Sequence, residues 1–274
     1  MNDRLRLEHY GIPPKKSLGQ NFLHDPHILD KIVALAALTP DSTVLEVGPG
    51  TGNLTRLLAQ QAGQVIAVEL DDRLIPLLRA EFAPLRHVEV IHGDILKVDL
   101  SQRLGNTPYT LVANLPYYIT SVMLRHAFED MPRPQRLVLT LQREVAERIT
   151  AQPGDMSVLA VSVQFYGEPQ IAMHLNPAVF WPRPEVESAV VKIEVYPAPP
   201  VDVPSERQFF RVVRAGFGQK RKQLRNSLSA GLSIAKDQAD AVLNQAGVDP
   251  QRRAETLSLE EWASLTRAVV VAGV

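Results

Sequence analysis

The sequence predicts an α/β fold, a doubly wound sheet followed by a small all-α C-terminal domain. Three observations predict it. Short Val- and Ile-rich runs, apolar almost without interruption, alternate with helix-length segments between Thr43 and Leu141. A glycine-rich turn follows the first of those runs, at Gly48 to Gly52. A stretch with four prolines in nine residues, Tyr196 to Pro204, then separates this pattern from one that is helical to the end.

Taken in order, Met1 to Tyr10 carries Asp3, Arg4, Arg6 and Glu8 where a secretory signal would need an apolar stretch, so a cytoplasmic location is expected. Gln20-Asn21-Phe22 reads as a turn ahead of a helix from Pro26. The runs Thr43 to Val47, Val65 to Leu70, Val88 to His92, Tyr109 to Ala113 and Arg136 to Leu141 suit strands covered on both faces of a parallel sheet. Leu54 to Gln61, Arg73 to Phe82 and Ser121 to Glu129 between them read as helices, and this alternation implies right-handed crossovers. Gln170 to His174 and Ser188 to Val195 read as two more strands, with the proline-rich Asn176 to Pro184 as a loop at the sheet rim. The four prolines after Tyr196 cannot continue a helix or a central strand. Helices are then expected over Glu206 to Phe217, Lys220 to Leu228 and Asp237 to Gln245, with a last one opened by Ser258 and Glu261 as a capping box. The expected division is therefore a domain over 1–196, a linker over 197–204 and a helical domain over 205–274.

Composition narrows the function. With 45% apolar and 22% charged residues among 274, the chain has the make-up of a globular protein. Its longest apolar stretches, such as Ile32 to Leu38, fall far short of the ~18 residues of a membrane span. The absence of cysteine excludes disulfides, thiolate zinc sites and cysteine nucleophiles. Histidines are scattered, and the pair His24 and His27 has no third ligand nearby, so no metal is expected. The net charge of −1 argues by itself against a nucleic-acid partner. That total is a cancellation: Ser205 to Ala230 holds seven cations against the single acid Glu206. This excess favours a polyanion over a merely solvated helical face, and RNA is the expected polymer.

The glycines after the first strand allow close backbone approach to a nucleotide-like ligand. The next strand ends in Glu69, placed to reach a ribose hydroxyl, and the third in Asp94, able to accept from an adenine amine. A dinucleotide fits less well, because the G-x-G-x-x-G register from Gly48 meets Asn53. After the fourth strand comes Asn114-Leu115-Pro116-Tyr117. Proline holds Leu115 extended, so the Leu115 carbonyl and the Asn114 amide oxygen can face one NH2 group together. Two acceptors on its hydrogens favour a pyramidal nitrogen, whose lone pair can meet an electrophile. Tyr117 offers a stacking ring and Phe180 could cover the other face of the base, with stacking worth roughly 1–3 kcal/mol.

With these residues the chain resembles the KsgA/Erm family of rRNA adenine dimethyltransferases. The likeness rests on Ser17 to Leu23 (SLGQNFL), Glu46 to Gly50, Glu69, Asp94, Asn114 to Tyr117, Leu141 to Val145 and Phe180 to Ser188. It implies a Rossmann-like class I methyltransferase sheet and S-adenosylmethionine as cofactor, held by Asn21, Leu23, Gly48, Glu69, Asp94 and Asn114. Asn114, Leu115, Tyr117 and Phe180 would serve catalysis. The segments Ala215 to Leu228 and Arg253 to Ser258 look like the small-subunit branch, with Arg214, Lys220, Arg221, Lys222 and Arg225 facing RNA. One departure is Glu185, where the family usually carries a lysine that could meet a phosphate. The expected activity is N6-dimethylation of two adjacent adenosines in the 3′-terminal hairpin loop of 16S rRNA, within the small (30S) subunit, by a monomer without membrane attachment. The alternatives are 23S rRNA methylation of the resistance type, a ribosome-assembly or transcription factor keeping the fold, and, far behind, an NAD oxidoreductase.

Overall fold

A computed structural model describes residues 7–274; Asp3, Arg4 and Arg6 of the N-terminal reading lie outside the described residues. Among the described residues nine strands form: β1 (Phe22–Leu23), β2 (Thr43–Val47), β3 (Gln64–Glu69), β4 (Val88–His92), β5 (Tyr109–Asn114), β6 (Arg136–Gln142), β7 (Gly167–Leu175), β8 (Phe180–Trp181) and β9 (Ser188–Val195). Seven of them make one sheet in the order β4-β3-β2-β5-β6-β9-β7. Pairs β2–β3, β3–β4, β2–β5 and β5–β6 are parallel, while β9 runs antiparallel to β6. Every residue of β2 is buried, which is why its run carries no polar alternation. The chain winds outward from β2 to β4 and then returns to the other side of β2 with β5. The β2–β5 neighbourhood is thus the switch point outside which open α/β sheets bind ligands.

Helix α1 (Pro26–Ala36) shows how the local sequence sets its bounds. Asp25 accepts the Ile28 N–H at 3.1 Å as N-cap, Pro26 opens the first turn, and Ala37 ends the helix at φ 49°. Leu29, Ile32, Val33 and Ala36 fall on one stripe and are buried, at roughly 1.5–3 kcal/mol per large side chain. Helices α2 (Asn53–Ala59), α3 (Ile75–Phe82), α4 (Ser101–Leu104) and α5 (Thr120–Glu129) follow. The two-residue strand β1 pairs antiparallel with β8, Phe22 opposite Trp181 and Leu23 opposite Phe180. Successive residues of a strand face opposite ways. Leu23 and Phe180 accordingly join the core containing α1, whereas Phe22 enters a second cluster with Leu74, Leu78 and Phe82.

The chain divides into two compact units, residues 1–146 with 170–195, and 147–169 with 196–274. The stretch 147–169 therefore goes with the helical unit, although the sequence division at Tyr196 groups it with the sheet. Its reason is aromatic. Within the second unit α7 (Val158–Tyr166), which comes after α6 (Arg143–Ile149), brings Phe165 to 4.6 Å from Phe209 and 5.2 Å from Phe210 on α8 (Glu206–Phe217). Such ring pairs add about 0.5–1.5 kcal/mol beyond their buried area. Helices α9 (Leu224–Leu232), α10 (Lys236–Gln245) and α11 (Leu259–Val271) complete the unit. Ser258 and Glu261 cap α11 reciprocally, at 3.2 and 2.8 Å. Helix α9 starts four residues later than its sequence pattern implies, because Lys222 N–H turns back to the Gln219 carbonyl. Among the described residues no helix is long and apolar enough to cross a membrane, and no three His, Asp or Glu groups converge as metal ligands.

Candidate active site

One cavity opens at the carboxyl ends of β2, β3, β4 and β5. Asn21, Leu23, Gly48, Glu69, Asp94, Asn114, Leu115 and Tyr117 all line it. Eight of the nine residues expected to hold cofactor or serve catalysis are thereby brought together.

The glycine turn shapes its floor. Gly48 sits at φ 71°, a region that favours glycine, and a Cβ there would meet nothing within 4 Å, so the space beside the backbone is open. Gly50, at φ 59°, passes close to the Phe22 ring and donates its N–H to Glu69 Oε2 at 3.0 Å. Glu69 is 6% exposed, and its Oε1 accepts the Asp71 N–H at 2.8 Å. Burial raises the Glu69 carboxyl above its ordinary range, against the pull of those backbone donors. A carboxylate has about four acceptor positions, so two bonds leave capacity for ribose hydroxyls. Asp94 accepts the Leu96 N–H at 3.1 Å and lies 3.5 Å from the Lys97 ammonium.

Asn114 carries the chemistry. Its Nδ2 donates to the Asn21 carbonyl at 2.9 Å, which commits the nitrogen and leaves the amide oxygen as the acceptor. The Leu115 side chain is buried and its N–H donates to Thr140, so its contribution to the cavity is backbone. Tyr117 opens a short 3-10 turn, and its hydroxyl is tied to Ser188 Oγ at 2.8 Å. Burial pushes the phenol upward, so the ring is a neutral surface at physiological pH.

Phe180 departs from expectation. It does not line the cavity: it is 4% exposed and packs in the core cluster with Leu23 and Leu29. Its β8 pairing with Leu23 holds it there, so in this conformation the ring supports the N-terminal wall and offers no face to a base. Among the lining residues that sequence reasoning missed, three matter most. Glu46 is 1% exposed, its Oε2 has no hydrogen-bond partner, and its carboxyl is pushed up to about 8 by burial, with the Thr55 hydroxyl opposing and the Glu69 charge adding. Gln20 binds Asp71 at 2.7 Å. Tyr118 lies 60% exposed at the cavity. An acid at the end of a first strand was the available signal for Glu46.

In the second unit Arg214, Lys220, Arg221 and Lys222 are exposed and make no ion pair among the described residues; Arg207, on the same helix as Arg214, is likewise exposed, whereas Arg211 on that helix donates to the Val274 oxygen at 3.3 Å. Arg225 differs. It is half-buried and bound to Asp240 at 2.7 Å, so its charge is already answered.

An unpaired buried carboxyl oxygen beside a second acid, under an open glycine turn, suits a ligand with both amino and hydroxyl groups. S-adenosylmethionine has both, and the residues present fit it. Comparisons with known proteins agree. The profile of the family described as "Ribosomal RNA adenine dimethylase" matches residues 13–269. The "Ribosomal RNA small subunit methyltransferase A" of Dehalococcoides mccartyi is 48% identical over 260 residues, 94% of this chain and 89% of that protein. Its namesake in Pelotomaculum thermopropionicum is 45% identical over 280 residues, 97% of this chain and 95% of that one. A dimethyladenosine transferase from Plasmodium falciparum superposes with TM-score 0.79 at 25% identity, covering 92% of this chain and 98% of its own. The 23S rRNA methyltransferase ErmE does so with TM-score 0.74 at 28% identity, covering 91% and 100%.

Proposed function

The chain belongs to the ribosomal RNA adenine dimethylase family and is an rRNA adenine dimethyltransferase; from there we propose that it uses S-adenosylmethionine to dimethylate N6 of two adjacent adenosines in the 3′-terminal hairpin loop of 16S rRNA, in the small subunit. The observation that carries this reading is the fixed amide of Asn114, whose nitrogen is committed to Asn21 and whose oxygen is left to accept. Asn21, Leu23, Gly48, Glu69 and Asp94 would hold the cofactor, which supplies an electrophilic methyl on a sulfonium when bound. The Asn114 oxygen and the Leu115 carbonyl would take the two amine hydrogens, so that the nitrogen lone pair faces away from the acceptors. Tyr117, anchored through Ser188, gives the adenine a rigid face to stack on. No side chain need act as a strong base, because the amine becomes acidic as its lone pair is used. Rate enhancement then comes mainly from proximity and orientation. Arg214, Lys220, Arg221 and Lys222 would meet RNA phosphates.

Small subunits lacking the modification, large subunits and free rRNA, offered side by side with radioactive donor, test the reading. Label in small-subunit rRNA at N6 of two neighbouring adenosines is expected. Label in 23S rRNA instead would transfer the chain to the resistance-type reaction. Donor binding without any label would make it a binding protein.

A further inference from the structure

Asp71 joins the N-terminal segment to the loop that follows β3, and the transfer chemistry leaves it unused. It is 2% exposed and its carboxylate is saturated with donors. Oδ2 accepts from Gln20 Nε2 at 2.7 Å and from Arg73 Nη2 at 2.6 Å, while Oδ1 accepts from Arg73 Nε at 2.8 Å and the Arg73 backbone N–H at 3.2 Å. Both partners continue into the N-terminal segment. Gln20 Oε1 accepts the Lys15 N–H at 2.7 Å, and Arg73 Nη1 donates to the Pro13 carbonyl at 3.1 Å. On its other side the Asp71 N–H donates to Glu69, the same carboxylate that holds Gly50. One residue past Gln20, the Asn21 carbonyl receives Asn114.

We infer that Asp71 is a positioning residue: it fixes residues 13–21, the last four of which line the cavity, and keeps Glu69 turned to the glycine loop, so that the cofactor meets an assembled site. The role requires a carboxylate. All four bonds arrive from donors, and an amide would set NH2 against Gln20 or Arg73, leaving half-buried donors unmet beside a buried side chain. A simple loop anchor would need only Arg73; the link to Gln20, and through it to the backbone beside Asn21, is what makes Asp71 part of the site. This inference rests on the cavity being the S-adenosylmethionine site.

Asp71→Asn, Gln20→Ala and the double variant decide it. S-adenosylmethionine binding by calorimetry should weaken about tenfold in each single variant, within the range of a lost hydrogen bond to a charged group. The two losses should not add in the double variant, since both break one bond. KM for the donor should rise accordingly with little change in kcat, and the Lys15 amide should exchange faster with solvent in Asp71→Asn without donor present. Loss of melting temperature alone, with donor affinity within twofold of wild type and Lys15 protection unchanged, would overturn the inference. If Asp71→Asn does not fold, Gln20→Ala carries the same test. A wild-type protein that does not bind the donor would instead refute the cofactor assignment, while Lys15 exchange still reports on the wall.

Discussion

The two units handle charge in opposite ways. In the first, Glu46, Glu69 and Asp71 are buried at the sheet edge, and the last two are held by backbone or side-chain donors. In the second, Arg207, Arg214, Lys220, Arg221 and Lys222 stand exposed without ion pairs among the described residues, while Arg225, Arg252 and Arg267 pair with Asp240, Glu261 and Glu260. Buried acids with fixed geometry suit a small ligand of one shape. Exposed cations on long side chains suit a flexible polyanion, whose attraction depends on released counterions more than on fit. Cofactor binding should therefore respond to pH and RNA binding to salt, and the net charge of −1 conceals both.

The largest expected effect lies at Glu46. Between the ordinary carboxylate value of 4.5 and the folded value of about 8, the native state keeps a proton that the unfolded chain has released. Stability should thus be highest below pH 4.5 as far as this group is concerned, fall as pH rises to about 8, and level off beyond. At ~1.4 kcal/mol per unit the span is up to roughly 5 kcal/mol, and thermal melts of Glu46→Gln across this range should lose the slope. A wild-type curve flat from pH 5 to 8 would erase the contrast on the acid side. Phe180 comes next: truncation to alanine should cost about 3–5 kcal/mol of stability, as for a core aromatic, measured by urea unfolding. Should Phe180→Ala instead keep its stability and lose only rRNA affinity, the ring stacks on a base after all.

Asn114→Ala should lower kcat/KM for methyl transfer by roughly 10²-fold, the scale of lost orientation, with filter-binding affinity for rRNA kept. The smallest effects lie among the cations. If Arg214, Lys220, Arg221 and Lys222 each meet a phosphate, log affinity against log salt should slope at about −2.8 on single-stranded RNA and lose about 0.7 per alanine substitution. Arg225→Ala should leave the slope alone and cost under about 1 kcal/mol of stability, as partly exposed pairs do. Equal slope changes at Arg225 and Lys222 would dissolve the distinction between paired and unpaired cations.

Strand positions were legible because Val- and Ile-rich runs mark them, whether wholly buried as in β2 or half-exposed at the sheet edge as in β4; β2, β4 and β9 match their runs end for end. Gly48, Glu69, Asp94 and Asn114 were legible because each sits at or just past the end of such a run, whereas Asn21 and Leu23 were placed by the family resemblance alone. The partners of side chains were not. Nothing near Arg225 in sequence announces Asp240, and nothing near Phe180 announces Leu23, because those contacts follow from how distant segments pack. Gln20 and Asp71 were unreadable for the same reason. The placement of 147–169 with the second unit depends on rings at Phe165 and Phe209 that local patterning treats as independent.

The pairing of β1 with β8 also sets a schedule. Leu23 leaves the ribosome early and Phe180 late, since almost the whole first unit lies between them in sequence. At about 5–20 residues per second of synthesis, the N-terminal wall waits on the order of ten seconds for the strand that seats it. Until then the glycine turn and Glu69 can fold with their sheet while one side of the cavity stays open. The nascent protein should gain its grip on the methyl donor late in translation, when the first unit is all but finished.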